Sequence, residues 1–170
     1  MRVPLSWLRE LVEINIQVES LAERLSMAGF EVESIEDLSI NTKGVVVGYV
    51  ENVDSHPNAD KLNVCRINVG QGDLLQIVCG ASNIRESIYV PIALPGSFLP
   101  IKNLNIKKSS LRGVESNGMV CSLEELGLED ESKGIAILDE LFTNKMNPGD
   151  NISKLFGLDE IILDLAITAN

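Results

Sequence analysis

Aromatic residues are scarce in this 170-residue chain: Trp7, Phe30, Tyr49, Tyr89, Phe98, Phe142 and Phe156 are all there are. So few rings give little basis for reading unpaired bases by stacking. His56 is the only histidine, and a lone His-Pro-Asn loop supplies neither a protein zinc site nor a Ser-His-Asp triad. Cys65, Cys79 and Cys121 are odd in number, widely spaced and flanked by apolar residues. That excludes a disulfide framework or a CxxC metal site and reads as reduced core thiols. No apolar run approaches the roughly 20 residues that cross a bilayer. Met1 to Val12 also lacks the basic start, apolar middle and small-residue cleavage site of a signal peptide, so a cytosolic protein with no membrane partner is expected. Basic charge is short as well, 14 Lys+Arg against 25 Asp+Glu for a net charge of -11. Generic charge-driven binding to nucleic acid, DNA included, is thereby disfavoured, and any RNA contact must rest on a local patch.

What is present is an ordinary globular composition, 45% apolar and 23% charged, long enough for one average domain or two small ones. Charge divides it unevenly. Residues 1–38 carry three basic and eight acidic side chains, residues 39–151 ten and fourteen, and residues 152–170 one and three. Within the middle part, Ser97 to Gly118 holds Lys102, Lys107, Lys108 and Arg112 against Glu115 alone, the one basic concentration in the chain.

The first part reads as helix, helix, strand. Pro4 suits a first helical turn, and Leu5, Leu8, Leu11 and Val12 recur at helical spacing. Leu21, Leu25 and Ala28 line a second helix that Gly29 ends as a left-handed cap, and Phe30, Val32 and Ile35 continue as a strand. In the middle part Val45–Val50, Leu62–Val69, Leu74–Cys79, Tyr89–Leu94 and Ile106–Val114 predict five short strands, with a hairpin turn at Gly70-Gln71-Gly72-Asp73. A small barrel follows from that pattern. Ser122 to Leu126 predicts a helix with Ser122 and Glu125 as its capping box and Gly127 at its end, and Ile135–Leu138 allows a sixth strand. At the far end Ser153–Phe156 predicts a helical turn stopped by Gly157, and Ile161, Leu163, Leu165 and Ile167 alternate as a half-buried strand. Each flank is too short for its own core, so the two are expected to close into one layer with the barrel inserted between them. The chain stops on that strand at Ala169-Asn170, which reads as a chain cut short.

Three segments carry the specific signal: His56-Pro57-Asn58-Ala59-Asp60-Lys61-Leu62, Val78-Cys79-Gly80-Ala81-Ser82-Asn83, and Leu111-Arg112-Gly113-Val114-Glu115-Ser116-Asn117-Gly118-Met119-Val120-Cys121-Ser122. With this spacing the middle part resembles the EMAP-type tRNA-binding domains, OB-folds found free-standing and fused to aminoacyl-tRNA synthetases. The flanking Val3-Pro4-Leu5-Ser6-Trp7-Leu8, the run Leu21 to Glu33, and Leu163 to Asn170 resemble the start of the bacterial phenylalanyl-tRNA synthetase beta subunits. The resemblance implies a five-stranded Greek-key OB-fold β-barrel (residues 39–151) inserted into a small α+β domain (residues 1–38 and 152–170). It implies tRNA as partner, the phenylalanine-specific one, together with the alpha subunit and the remainder of the beta subunit in a heterotetramer. It also implies ATP and magnesium as cofactors of the parent ligase, whose catalysis lies in the alpha subunit. No cofactor, metal or catalytic residue is expected here, since there is no glycine-rich phosphate loop and no nucleophile with its base.

Lys107, Lys108 and Arg112 are the electrostatic candidates for phosphate contact, because alternate residues of a strand share a face and Lys108 would project with Arg112. The alternative is a solvated edge strand kept charged against aggregation. Lys61 either contacts phosphate or closes its loop against Asp60. The family motif implies RNA contact for Asn83, which follows the small pair Gly80-Ala81, and for Ser116 and Met119. By itself Met119 reads as core filler. Ser122 reads as a helix cap, with RNA contact the alternative, and His56-Pro57 as a rigid turn. Glu124, Glu125, Glu129, Asp130 and Glu131 form an acidic stretch that repels phosphate and confines an RNA path to the opposite side. Scarce rings favour a folded tRNA read by shape and 2'-hydroxyl contacts. Two other readings compete with a tRNA-binding module: a structural module that packs domains or subunits, and a free-standing tRNA-binding protein, which leaves the flanks unexplained.

Overall fold

The apolar runs meet in space as antiparallel ladders, in a computed structural model that describes residues 1–166. Strands β1 (Arg2–Pro4) and β2 (Val32–Asp37) bracket helices α1 (Leu5–Leu11) and α2 (Val18–Met27). Then come β3 (Val45–Ser55), β4 (Asn63–Asn68), β5 (Leu75–Cys79) and β6 (Tyr89–Ala93), followed by the short β7 (Phe98–Leu99), β8 (Leu104–Asn105), β9 (Ser109–Leu111), β10 (Val114–Ser116) and β11 (Met119–Val120). Helices α3 (Leu138–Leu141) and α4 (Ile152–Leu155) and strand β12 (Ile161–Leu165) complete the order. The chain divides into two compact units, one of Met1–Ile40 with the stretch from Gly157 onward, the other Asn41–Phe156.

In the first unit β12 lies between β1 and β2, antiparallel to both, so that Leu163 is paired with Val3 on one side and Ile35 on the other and is fully buried. Ile167, Ala169 and Asn170 lie outside the described residues. Helix α2 ends as its sequence predicts: Gly29 takes φ +96°, its N–H bonds Ser26 O at 3.1 Å, and Phe30 N–H reaches back to Leu25 O at 2.9 Å, the paired bonds of a Schellman motif. Ala28, expected on the buried face, is instead the exposed C-cap. Helix α1 has no side-chain cap of its own at Pro4. Glu160 supplies one from across the fold, accepting from Ser6 N–H (3.2 Å), from the Ser6 hydroxyl, and from Ile161 N–H (2.9 Å). Partial burial pushes this carboxyl up, but the Ser6 and Ile161 hydrogen bonds outweigh it and hold it below the ordinary value of 4.5. A carboxyl depressed in the folded state stabilises above its unfolded pKa and loses that contribution as pH falls through the folded one. The only tryptophan, Trp7, sits in α1, so its fluorescence follows this unit. Glu160→Gln is expected to lower the unit's denaturation midpoint at pH 7 and to flatten its loss of stability below pH 4.5; an unchanged acid limb would count against the cap.

The second unit is a five-stranded antiparallel sheet, order β11-β6-β3-β4-β5, curled into a nearly closed barrel of the OB type. Its central strand β3 pairs with both β4 and β6, and its register slips between Val50 and Asn52, a bulge that coils the strand around the barrel. Gly48 sits where a Cβ would lie 2.5 Å from Ile92 Cγ1 and 2.7 Å from Ile67 Cγ2, so the interior accepts only hydrogen there. The remaining edge of β5 meets β10 without a ladder. Side chains and a turn bridge the gap: Val78 N–H donates to Ser116 Oγ (3.0 Å), Gln76 Nε2 to Glu115 O (2.8 Å), and Asn117 N–H to Gln76 O (2.8 Å). Cys65, Cys79 and Cys121 are free and buried, and burial pushes all three thiols up, Cys65 and Cys121 to about 12.

Four further expectations change. The fifth barrel strand is Met119–Val120, not Ile106–Val114, because the chain reverses inside the latter: Arg112 and Gly113 take φ +46° and +86°, the two positive values a type I′ hairpin turn requires, and β9 pairs with β10 alone. Ile135–Ile137 is buried without a ladder and Leu138 opens α3, so no sixth strand forms. The capping box closes, with Ser122 N–H on Glu125 Oε2 (2.7 Å) and Glu125 N–H on Ser122 Oγ (3.1 Å), but around a single turn in place of a helix. Helix α4, read from sequence with the last flank, belongs to the barrel unit: Asn151 Oδ1 caps it, and fully buried Ile152 packs in one cluster with Val45 and Val47.

Candidate nucleic-acid interface

The basic concentration from Ser97 to Gly118 resolves into one neutralised cation and three unpaired ones. Lys102 binds the Glu124 carboxylate, and this contact raises the ammonium and lowers the carboxyl from their ordinary values. Lys107 and Lys108 are exposed between β8 and β9, Arg112 is exposed at the hairpin turn, and none of the three pairs with a carboxylate among the described residues. Strand alternation does not align Lys108 with Arg112, since β9 begins after Lys108 and the chain turns at Arg112. Lys108 instead borders an open hollow of about 340 Å³ with Ser109, Ser110, Glu115 and Asn117.

The hairpin tip is tied to the His56–Leu62 loop. His56 is 5% exposed. Its Nδ1 accepts from Asn58 N–H (3.0 Å), so Nε2 carries the ring proton and donates to Leu111 O (3.0 Å). Asn58 Nδ2 donates to the next carbonyl, Arg112 O (3.0 Å). The loop closes on itself through His56 N–H to Leu62 O (3.0 Å), leaving Lys61 exposed and with no ion pair to Asp60. Lys61 and Arg112 are thus carried by two segments bonded to each other.

The other four residues read from the motif are placed differently. Asn83 has both amide atoms engaged by one backbone unit: Nδ2 donates to Ile135 O (2.9 Å) and Oδ1 accepts from Ile135 N–H (3.1 Å). Ser116 is 2% exposed and closes the barrel seam through Val78 N–H while donating to Gly118 O (3.2 Å). Met119, half-buried opposite Ala93 in the β11–β6 pair, and Ser122 border one pocket of about 370 Å³ together with Gly80, Ala81 and the Lys102–Glu124 pair. Sequence reasoning missed the bonds made by His56, Asn58 and Gln76; the compact His-Pro-Asn turn was the only available signal. Glu129, Glu131 and Glu140 border a separate pocket of about 430 Å³, and among the described residues no group of His, Cys, Asp or Glu is placed to hold a metal ion. No helix among them is long and apolar enough to cross a membrane.

The family described as "Putative tRNA binding domain" matches residues 45–149. Over all 170 residues the chain is 58% identical to the phenylalanine–tRNA ligase beta subunit of Prochlorococcus marinus strain MIT 9313 and 56% identical to that of Synechococcus sp. strain CC9605. It spans about one fifth of the length of these curated relatives, 21% of each. Among solved structures, the C-terminal domain of Plasmodium vivax p43 aligns with 65% of this chain and 59% of its own at 29% identity, with a TM-score of 0.46.

Proposed function

The chain belongs to the tRNA-binding domain family through residues 45–149, and from that membership we propose that its barrel binds folded tRNA as the tRNA-contacting module of a phenylalanine–tRNA ligase beta subunit. One observation carries the reading: in a chain of net charge -11, the unpaired cations Lys107, Lys108 and Arg112 gather at one hairpin, and His56 and Asn58 fasten that hairpin to the loop bearing Lys61. Phosphate affinity needs such clustered, uncompensated cations. In this reading Lys61, Lys107, Lys108 and Arg112 meet phosphate, Met119 and Ser122 border the RNA at the neighbouring pocket, and Asn83 and Ser116 hold the surface in shape. The wider assignment belongs to the proposal too: the phenylalanine-specific tRNA, an alpha subunit that performs ATP- and magnesium-dependent catalysis, a heterotetramer in the cytoplasm, and a barrel inserted into the flanking α+β domain.

Titration of this chain with folded tRNA across salt, against an unstructured RNA of equal length, tests the core of it. Preference for the folded RNA is expected, with log affinity falling linearly in log salt by about 0.7–0.9 per phosphate contact. Absence of binding at low salt would sink it. A second role, packing against other parts of a larger protein, is favoured by the apolar surface of the first unit, where Trp7 is 65% exposed, Leu11 and Met27 each 81%, and Phe30 58%.

A further inference from the structure

We infer that His56 is a positioning residue for RNA contact: its Nε2–H bond to Leu111 sets where the β9–β10 turn presents Arg112. The inference rests on the tRNA-binding reading and names how that site is held. Three observations carry it. Strand β9 pairs only with β10, so no sheet anchors the hairpin tip from outside. The hairpin's other end is fixed at β5 by Gln76 and Ser116, and among the described residues the bonds from His56 and Asn58, to the consecutive carbonyls of Leu111 and Arg112, are the ties found at the tip. Arg112 also holds φ +46°, a left-handed conformation uncommon outside glycine that the two-residue turn requires and that the bonds to the Leu111 and Arg112 carbonyls brace.

The ring suits the task for a physical reason. A neutral imidazole has one acceptor and one donor on opposite edges, and here the acceptor faces its own loop while the donor faces the hairpin. Buried at 5% exposure, it acts as a rigid two-ended spacer that does not itself meet RNA. An arginine on an untied two-residue turn would sample many directions, and each phosphate contact would cost ordering entropy.

The two halves of the ring can be replaced separately. Glutamine reaches the Nε2 position and can still donate to Leu111 O. Asparagine mimics only the Nδ1 half, keeping the loop turn while releasing the hairpin. In the full 170-residue chain, His56→Gln is expected to keep tRNA affinity within about threefold of the native protein. His56→Asn should bind about tenfold more weakly at 50 mM salt, with a log-log salt slope shallower by about 1, the share of one phosphate contact. Amide hydrogen exchange at Leu111 and at Arg112 to Val114 supplies a readout without RNA: exchange should quicken in His56→Asn and not in His56→Gln. Equal exchange in the two variants, or a folded His56→Asn with native affinity and slope, overturns the inference. Native protein that shows the expected exchange pattern yet binds no tRNA overturns the tRNA reading, and with it the role in RNA contact, while keeping the tie.

Discussion

Reversing three charges, as K107E/K108E/R112E, is expected to remove at least about 99% of the affinity for folded tRNA at 50 mM salt. The magnitude follows from counterion release. Three phosphate contacts contribute a log-log slope of about 2.1–2.7, so that raising salt fourfold costs the native protein about 20- to 40-fold from these contacts alone. Reversal removes the contacts and sets three carboxylates against the phosphates, so affinity falls and the remaining salt dependence flattens together. None of the three makes an ion pair among the described residues, and all three are exposed, so the fold has little reason to respond.

Net charge alone offers a rival explanation, and a matched variant separates the two. R24E/K145E/K154E also reverses three exposed cations, shifting net charge from -11 to -17 as the first variant does, but at positions outside the hairpin and the pocket beside Met119 and Ser122. If long-range repulsion governs, both variants lose tRNA equally. If the hairpin is the contact, the second keeps most of its affinity. Full binding by both would remove RNA contact from this hairpin altogether.

What could be read in the sequence was local. The runs Val45–Val50, Leu62–Val69 and Leu74–Cys79, with Gly70 and Gly72 between the last two, announce strands and a hairpin, since period and turn chemistry sit side by side in the chain. Gly29 and the Ser122–Glu125 box were legible for the same reason: each states a hydrogen-bond pattern within six residues. The hairpin at Arg112 was not. A type I′ turn usually announces itself with Asn or Asp before Gly, whereas here arginine takes that place, and the carbonyls around it are held by His56 and Asn58, 55 and 54 residues earlier. Strand β11 is two residues long and exists only because β6 is there to pair with it. The same distance hides the motif's division of labour. Nothing near Asn83 in the chain shows that both its amide atoms are used on Ile135, 52 residues on, nor near Ser116 that its hydroxyl closes the barrel against Val78, 38 residues back.

That division gives a second large effect. Asn83→Ala should destabilise the barrel by about 2–4 kcal/mol, because it leaves both the N–H and the C=O of Ile135 without partners, each worth about 1–3 kcal/mol when unmet. Ile135 itself is buried, and Gly134 beside it packs so closely that a Cβ there would lie 2.8 Å from Asn83 Cγ, so the amide fits closely against this segment. Asn83→Asp sharpens the test. Ionised, the new carboxylate keeps the bond from Ile135 N–H but sets an oxygen against Ile135 O, which holds its folded pKa above the ordinary value of about 3.9. A raised pKa means stability that is present below the unfolded pKa and lost as pH rises through the folded one. The aspartate variant should therefore approach the native protein near pH 4 and fall behind it at pH 7. Denaturation followed by near-ultraviolet tyrosine dichroism reads this in the barrel, where Tyr49 and Tyr89 lie with ring centroids 4.9 Å apart, while Trp7 reports the other unit. Folded Asn83→Ala should retain the native salt slope for tRNA, since the amide is spent inside the protein. A variant that keeps its stability and loses tRNA affinity would instead put Asn83 directly on the RNA.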